Sequence, residues 1–167
     1  MIPVALRCAY DLSCWLYWGV AAVMVQKRAH ERSGGGLMLL LLLVQAPLSW
    51  LNDSFEFMST GKPGVWAHLD RTVAALTAVT SLIFAARNLE HAHAAAYAFW
   101  LGVGGLSWAF AMVAWEWDWP LAWASLHTIW HIVPTAAAVA AVLTLPADGR
   151  EHHEREHSSQ HVTKLDA

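Results

Sequence analysis

The sequence contains few charged residues: Asp, Glu, Lys and Arg make up 14% of its 167 residues, whereas apolar residues make up 57%. A soluble globule needs more charge than this to cover its surface, so the composition excludes an ordinary soluble domain and indicates an integral membrane protein. The sequence also lacks a surplus of positive charge, since its formal net charge is -3. We therefore expect no nucleic-acid partner.

Cysteine is scarce as well, because only Cys8 and Cys14 occur, both near the first apolar segment. We expect them to be small buried apolar residues, and a disulfide or a metal-binding pair is the alternative. The N-terminus lacks a basic region followed by an uninterrupted apolar run and a small-residue cleavage site. The first helix is therefore expected to be retained.

Long apolar segments are abundant. A membrane-spanning helix needs about 20 mostly apolar residues. Five segments meet this requirement, at about residues 8–26, 36–57, 65–87, 92–115 and 119–145. The sequence thus predicts an all-α, polytopic membrane bundle over residues 1–146. Residues 147–167 are polar and rich in histidine, which predicts a disordered cytoplasmic tail.

Lysine and arginine are unevenly divided between the two sides of this bundle. The loops at 27–35 and 87–91 and the C-terminal tail lie on one side, and the other side carries only Arg7 and Lys62. The positive-inside rule then predicts a cytoplasmic C-terminus and an external N-terminus, in the plasma membrane. The basic residues on the cytoplasmic side are Lys27, Arg28, Arg32, Arg87, Arg150, Arg155 and Lys164.

Ionisable side chains inside spans are costly and therefore mark candidate sites. In SLHTIWHIVP, His127 and His131 lie four residues apart and share one helical face. Asp53 and Ser49 lie in the second segment and Asp70 in the third. At 1.5 Å rise per residue, Asp53 and Asp70 lie roughly 6 Å below the outer helix ends, Ser49 and His127 roughly 12 Å and His131 roughly 18 Å. These side chains can face one outward-opening pocket.

The chemistry suggested by this set is metal binding. Two imidazoles at positions i and i+4 chelate Zn²⁺ together with a third ligand from another helix, and a fourth position stays open for water. Zinc lowers the pKa of that water. We expect His127, His131 and Asp53 to be the ligands, Asp70 to orient the water or take its proton, and Ser49 to be a nearby hydrogen-bonding group.

The same residues are compatible with purely structural roles. The two histidines can be hydrogen-bonded core residues, and Asp70 can form an interfacial ion pair with Arg71. Asp53 lies near a helix end, where a solvated carboxylate costs little. Ser49 follows Pro47, whose ring leaves a carbonyl without its helical partner, and the serine hydroxyl can compensate for this.

The segment SLHTIWHIV resembles the HxxxH of the last helix in the alkaline ceramidases, the adiponectin/progestin receptors and the transmembrane protein 8 and myomaker group, which form the CREST hydrolase-like superfamily. The myomaker-like group is most similar. Its acidic aromatic turn, basic cluster and helix-3 aspartate resemble WEWDWPLAWASLHTIWH, VQKRAHER and HLDRTVAALTAVTSLIFAARN. The resemblance implies a metal-dependent hydrolase of a lipid amide or ester, with membrane lipids as partners.

Two features differ from the superfamily. Its members have seven helices, whereas here a single span separates helix 3 from the HxxxH helix, so one pair of helices is missing. The helix 2 motif of the superfamily is Ser followed four residues later by His, whereas Ser49 is followed by Asp53. Asp is also a zinc ligand. The alternatives to a hydrolase are a non-catalytic scaffold that binds lipids or a partner, and an ion or proton pathway.

We predict that a membrane-impermeant maleimide reaches residue 59 but not residue 159 in intact cells. The test introduces Ser59→Cys or Ser159→Cys into a protein that carries Cys8→Ser and Cys14→Ser. Labelling of Ser59→Cys alone is expected from the Lys and Arg asymmetry. Labelling of Ser159→Cys alone would reverse the orientation.

Overall fold

The computed structural model describes residues 4–57 and 64–146, and every regular element in these ranges is helical. Five segments are long and apolar enough to cross a membrane, which confirms the predicted all-α, multi-pass membrane bundle. The predicted tail at 147–167 lies outside the described residues. We number the segments spans 1 to 5: Ala5–Gln26, Gly35–Ser54, Val65–Asn88, His91–Glu116 and Pro120–Leu143.

Spans 1 and 2 contain irregular backbone. Span 1 is divided by a turn at residues 14 and 15, and span 2 changes from an α-helix to a π-helix at Leu51. Spans 3 to 5 are single helices. The elements are α1 (Val4–Ser13), α2 (Leu16–Gln26), a short 3-10 helix (Ala29–Glu31), α3 (Gly35–Trp50), the π-helix (Leu51–Phe57), α4 (Val65–Asn88), α5 (His91–Glu116) and α6 (Pro120–Leu143).

The helix ends differ from the expected ones by a few residues. The first helix begins at Val4 instead of residue 8. The last begins at Pro120, because the fixed φ of proline suits the first helical position and its missing N–H has no helical partner to lose there.

The surface of the bundle is apolar and its interior is partly polar. Leu12 and Phe99 are 69% and 64% exposed, as expected of side chains that face hydrocarbon. Buried polar residues occur on all five spans, and they include Ser13, Gln45, Thr77, Ser107 and Thr135. Because lipid offers no hydrogen bonds, such groups must find their partners inside the protein.

Each span packs against its neighbours in sequence, and span 5 also packs against span 1. Two apolar clusters result. One is formed around Met24, Leu42 and Val142, and the smaller one around Tyr10 and Trp123. Along spans 1 and 5, Cys14, His127 and His131 lie between the residues of these two apolar clusters.

Spans 4 and 5 form the most extensive contact between helices. It depends on Gly104, where a Cβ atom would overlap the ring of Pro134 and lie 3.4 Å from Cε3 of Trp130. Close approach at a small residue is the usual basis of helix association in membranes.

We predict that Gly104→Ala destabilises the protein, whereas Gly105→Ala does not. The methyl group at 104 must push Pro134 away, and such overpacking costs about 1–3 kcal/mol. A Cβ at Gly105 meets nothing within 4 Å, so that substitution gains the helix propensity of alanine, about 1 kcal/mol. Thermal unfolding of both variants in detergent measures this, and equal shifts of Tm would contradict the described packing.

Candidate metal centre

Asp53 lies between the two histidines of span 5. Its Oδ2 atom is 3.2 Å from Nε2 of His127 and 3.8 Å from Nε2 of His131. All three side chains are buried, and Asp53 is only 2% exposed. The structure therefore brings the three predicted metal ligands together, and it places Asp53 in the interior instead of in a solvated helix end.

The π-helix at the end of span 2 positions two adjacent polar side chains. Asn52 and Asp53 are both buried, and Nδ2 of Asn52 donates to Oδ1 of Asp53 at 2.7 Å. A π-helical turn holds an extra residue and so changes the direction of the side chains that follow; such turns are frequent at functional sites. The amide of Asn52 thus holds one carboxylate oxygen of Asp53 and leaves the other facing the imidazoles.

The carbonyl that Pro47 deprives of its helical partner belongs to Leu43. The indole Nε1–H of Trp18, on span 1, donates to this carbonyl at 3.0 Å. Ser49 does not compensate for the effect of Pro47 on this carbonyl, because its hydroxyl donates to Oδ1 of Asp70 at 2.6 Å.

Asp70 belongs to a second layer of the site. Its Oδ1 accepts hydrogen bonds from Ser49 and from Nε2 of Gln45, the latter at 2.6 Å. Its Oδ2 lies 3.4 Å from Nδ2 of Asn52, the side chain that also holds Asp53. Asp70 is buried and Arg71 is exposed, so this carboxylate is stabilised by neutral donors inside the bundle and the alternative of an interfacial ion pair is not needed.

The two imidazoles differ in their surroundings. Nδ1 of His131 lies 3.1 Å from Oγ of Ser13, a contact that fixes the ring with Nε2 toward Asp53. The ring of His127 packs against Tyr10 and Trp123, with centroids 5.2 and 5.6 Å away. Within residues 4–57 and 64–146, the buried Nδ1 of His127 has no hydrogen-bond partner.

Cys14 also belongs to the cluster, although a small buried apolar role is its first expectation from the sequence and a disulfide or a metal-binding pair with Cys8 the alternative. Its Sγ lies 3.6 Å from Oδ2 of Asp53. The ligand atoms of Cys14, Asp53 and His131 all lie within 4.8 Å of one another, so this buried group can hold a metal ion. Cys8 is exposed and both thiols are free, which removes the disulfide alternative.

Helical periodicity groups several of these additional residues on shared faces, although it does not mark them as functional. Tyr10, Ser13, Cys14 and Tyr17 follow the i, i+3, i+4, i+7 pattern of one helical face. Gln45 lies one turn before Ser49 on the same face of span 2. The face on span 1 contains no charged residue and the face on span 2 contains only Asp53, so neither set of residues is conspicuous in the sequence.

The distances around Asp53 fit tetrahedral coordination. For donors about 2.0 Å from zinc, tetrahedral geometry places N and O ligands about 3.3 Å apart, and a sulfur at about 2.3 Å lies about 3.5 Å from an oxygen ligand. The observed separations from Oδ2 of Asp53 are 3.2 Å to His127, 3.8 Å to His131 and 3.6 Å to Cys14. The ligand atoms of Cys14, Asp53 and His131 lie within 4.8 Å of one another, whereas His127 is outside this group and would have to move toward the other donors to share one ion.

A cavity of about 210 Å³ adjoins the cluster. His127 and Asp70 both line it, and most of its remaining wall is apolar. Side chains from spans 2 to 5 contribute, among them Asn52, Ala74, Trp108, Met112 and Trp130.

No protein-family model, curated protein or solved structure matches this chain. The resemblance to the CREST superfamily therefore stays a prediction, and the functional assignment depends on the residues of the site.

We predict that Asp70→Leu destabilises the protein by about 2–5 kcal/mol, because it removes the acceptor of the buried Ser49 hydroxyl and one of the two acceptors of Gln45 Nε2, which also donates to Ser49, and each such loss costs about 1–3 kcal/mol. Asp70→Asn is expected to cost less, since the amide oxygen can still accept both bonds. Arg71→Gln, at the exposed neighbouring position, is the control and is expected to change stability by less than about 0.5 kcal/mol. Chemical or thermal unfolding in detergent measures all three. A loss for Asp70→Leu no larger than that for Arg71→Gln would contradict the network.

Proposed function

We propose that this protein is a metal-dependent membrane hydrolase that binds zinc through Asp53, His127 and His131 and cleaves a lipid amide or ester. The observation that carries the proposal is the contact of one buried carboxylate with two imidazoles beside a largely apolar cavity. In the proposed orientation, with the N-terminus outside and the C-terminus in the cytoplasm, the site lies in the outer half of the plasma membrane.

The charge of the cluster supports a bound cation. Among the described residues, the basic side chains within 4 Å of the Asp53 carboxylate are His127 and His131, and an imidazole carries a positive charge only when it is protonated. A buried carboxylate in a low-dielectric interior needs a positive partner. That partner is either a proton shared with an imidazole or a metal ion, and the approach of Cys14 and His131 to the same carboxylate favours the metal.

The residues around the ligands suit zinc in particular. Nitrogen and carboxylate ligands at tetrahedral spacing are typical of zinc sites, whereas Mg²⁺ and Ca²⁺ prefer six or more oxygen ligands. Ser13 and Asn52 hold His131 and Asp53 by hydrogen bonds. Such contacts orient the ligands and tune their basicity.

The cavity supports a lipid substrate. Its wall includes the apolar side chains of Trp108, Met112 and Trp130, and it reaches both His127 and Asp70. It also lies within spans whose outer surface faces lipid. A reactive carbonyl held in this cavity would lie next to the ligands while its acyl chain contacts apolar side chains.

The chain's own residues then have distinct tasks. Zinc, when bound, acts as a Lewis acid and makes a water acidic near neutral pH. Asp70 lines the cavity and can accept a proton there. Ser49 and Gln45 hold the Asp70 carboxylate in place through its Oδ1 atom, whereas Oδ2 has, among residues 4–57 and 64–146, the single 3.4 Å contact to Asn52.

The second candidate function is a non-catalytic scaffold, and the position of Cys14 favours it. Four protein ligands would close the site, and closed sites are typical of structural zinc. An ion or proton pathway has less support. Thr77, Ser81 and Thr135 lie deeper in the bundle, but their hydroxyls donate to backbone carbonyls of their own helices and do not form a chain between them.

We predict about one zinc ion per chain in protein purified under metal-replete conditions, and almost none in the double variant His127→Ala/His131→Ala. His68→Ala, at an exposed position on span 3, is the matched control and is expected to keep its zinc. Metal content and hydrolysis of a short-chain ceramide analogue and a matched ester are measured on the three proteins. Zinc binding without hydrolysis would favour the non-catalytic scaffold. A wild-type protein without zinc would contradict the proposal of a metal site.

In the same experiment, Asp53→Ala tests the third ligand and is expected to lose most of the zinc. Asp53→His is expected to retain zinc and to hydrolyse faster, because a neutral imidazole leaves more positive charge on the metal and makes its water more acidic. Full zinc occupancy in Asp53→Ala would show that Asp53 is not needed as a ligand.

A further inference from the structure

We propose that Cys14 is a ligand of the same metal ion, so that span 1 supplies the fourth position of a Cys14–Asp53–His127–His131 site. The inference rests on the proposed function only in requiring that a metal binds. It adds a thiolate to the ligand set and a third span to the site.

The position of the thiol carries this inference. Cys14 has no exposed surface, and its Sγ lies 3.6 Å from Oδ2 of Asp53, close to the tetrahedral separation of a sulfur and an oxygen on zinc, about 3.5 Å. Its ligand atom, that of His131 and that of Asp53 lie within 4.8 Å of one another. Sulfur, oxygen and nitrogen donors from spans 1, 2 and 5 therefore surround one point.

The backbone around Cys14 is consistent with this role. The helix of span 1 is interrupted at residues 14 and 15, so the thiol is presented at a break in the helix instead of within a regular turn. The neighbouring Ser13 contacts Nδ1 of His131. Consecutive residues of span 1 thus face the cluster, one positioned to bind the metal and the other to hold an imidazole ligand.

A purely structural thiol is the competing explanation. Sγ also lies 3.7 Å from the backbone carbonyl of Tyr10, and a buried thiol can act as a weak donor to that carbonyl or to Asp53. The two explanations differ in protonation and bonding. A ligand gives up its proton to solvent when the metal binds and forms a metal–sulfur bond, whereas a structural thiol keeps its proton.

Coordination by Cys14 has two consequences. A thiolate favours zinc and other thiophilic ions over Mg²⁺ and Mn²⁺. Four protein ligands also fill a tetrahedral site, so that either Cys14 leaves or the coordination number rises before a substrate oxygen reaches the metal. Cys14 would then restrain the hydrolysis that the other three ligands support.

Cobalt(II) in place of zinc tests this without a hydrolysis assay. A cobalt–thiolate bond gives a sulfur-to-cobalt charge-transfer absorption in the near ultraviolet, and tetrahedral cobalt gives strong visible bands regardless of sulfur. Because the chain contains two cysteines, the Cys8→Ser protein has Cys14 as its only thiol. We expect this protein to show both the visible bands and the charge-transfer absorption. We also expect Cys14 in it to react with a thiol reagent at least about tenfold more slowly when the metal is bound, since the thiolate is then occupied.

Cys14→Ser is the complementary variant and is expected to bind cobalt without the charge-transfer absorption. Visible bands without charge transfer in the Cys8→Ser protein would overturn the assignment of Cys14 while leaving the three-ligand site and the proposed function intact. Absence of every cobalt band, in protein that elutes as a folded species, would overturn both. The thiol-protection measurement decides the matter in the Cys8→Ser protein even where Cys14→Ser fails to fold.

Discussion

Two carboxylates buried inside a bundle that lies in hydrocarbon are the constraint on which the rest of this structure depends. Asp53 and Asp70 are both buried, yet the protein stabilises them in different ways. Asp70 accepts hydrogen bonds from the neutral donors of Ser49 and Gln45, whereas Asp53 contacts His127 and His131. Neutral donors stabilise a negative charge without neutralising it, whereas a protonated imidazole or a metal cation can neutralise it.

Satisfying these groups requires the helices to depart from regular geometry. The π-helix at Leu51–Phe57 lets Asn52 and Asp53 point inward together, and the turn at residues 14 and 15 presents Cys14 from span 1. Pro47, in span 2, leaves the carbonyl of Leu43 without its helical partner, and the indole N–H of Trp18 donates to that carbonyl. Irregular backbone inside a membrane is stable only where other groups complete its hydrogen bonds, so these departures coincide with the polar interior.

The spans could be predicted from the sequence because their signal is additive: about 20 apolar residues are recognisable whatever they pack against. His127, His131 and Asp53 could be singled out for a similar reason, since each ionisable group is costly by itself in a membrane. Cys14 and Asn52 could not, because neutral polar residues cost little and gain significance only from their neighbours in space. The separate position of Asp70 depends on helix rotation, which spacing along the chain does not determine. The predicted depths place all five side chains between roughly 6 and 18 Å below the outer helix ends, but depth does not tell which carboxylate contacts the imidazoles.

The bundle also has few buried residues with which to fix the positions of these side chains. In its most apolar stretches, between 22% and 39% of the residues of each span are buried inside the protein, and lipid-facing contacts do not distinguish the folded arrangement from separated helices. Span 5 closes on span 1, and the cluster around Asp53 lies where these two spans meet span 2. A metal held by Cys14, Asp53 and the two histidines would join these three spans through bonds that only the assembled bundle can form. Binding free energy of this kind adds directly to folding stability. Under the proposed function, therefore, the ion that supplies the chemistry would also hold together the helices that form its site.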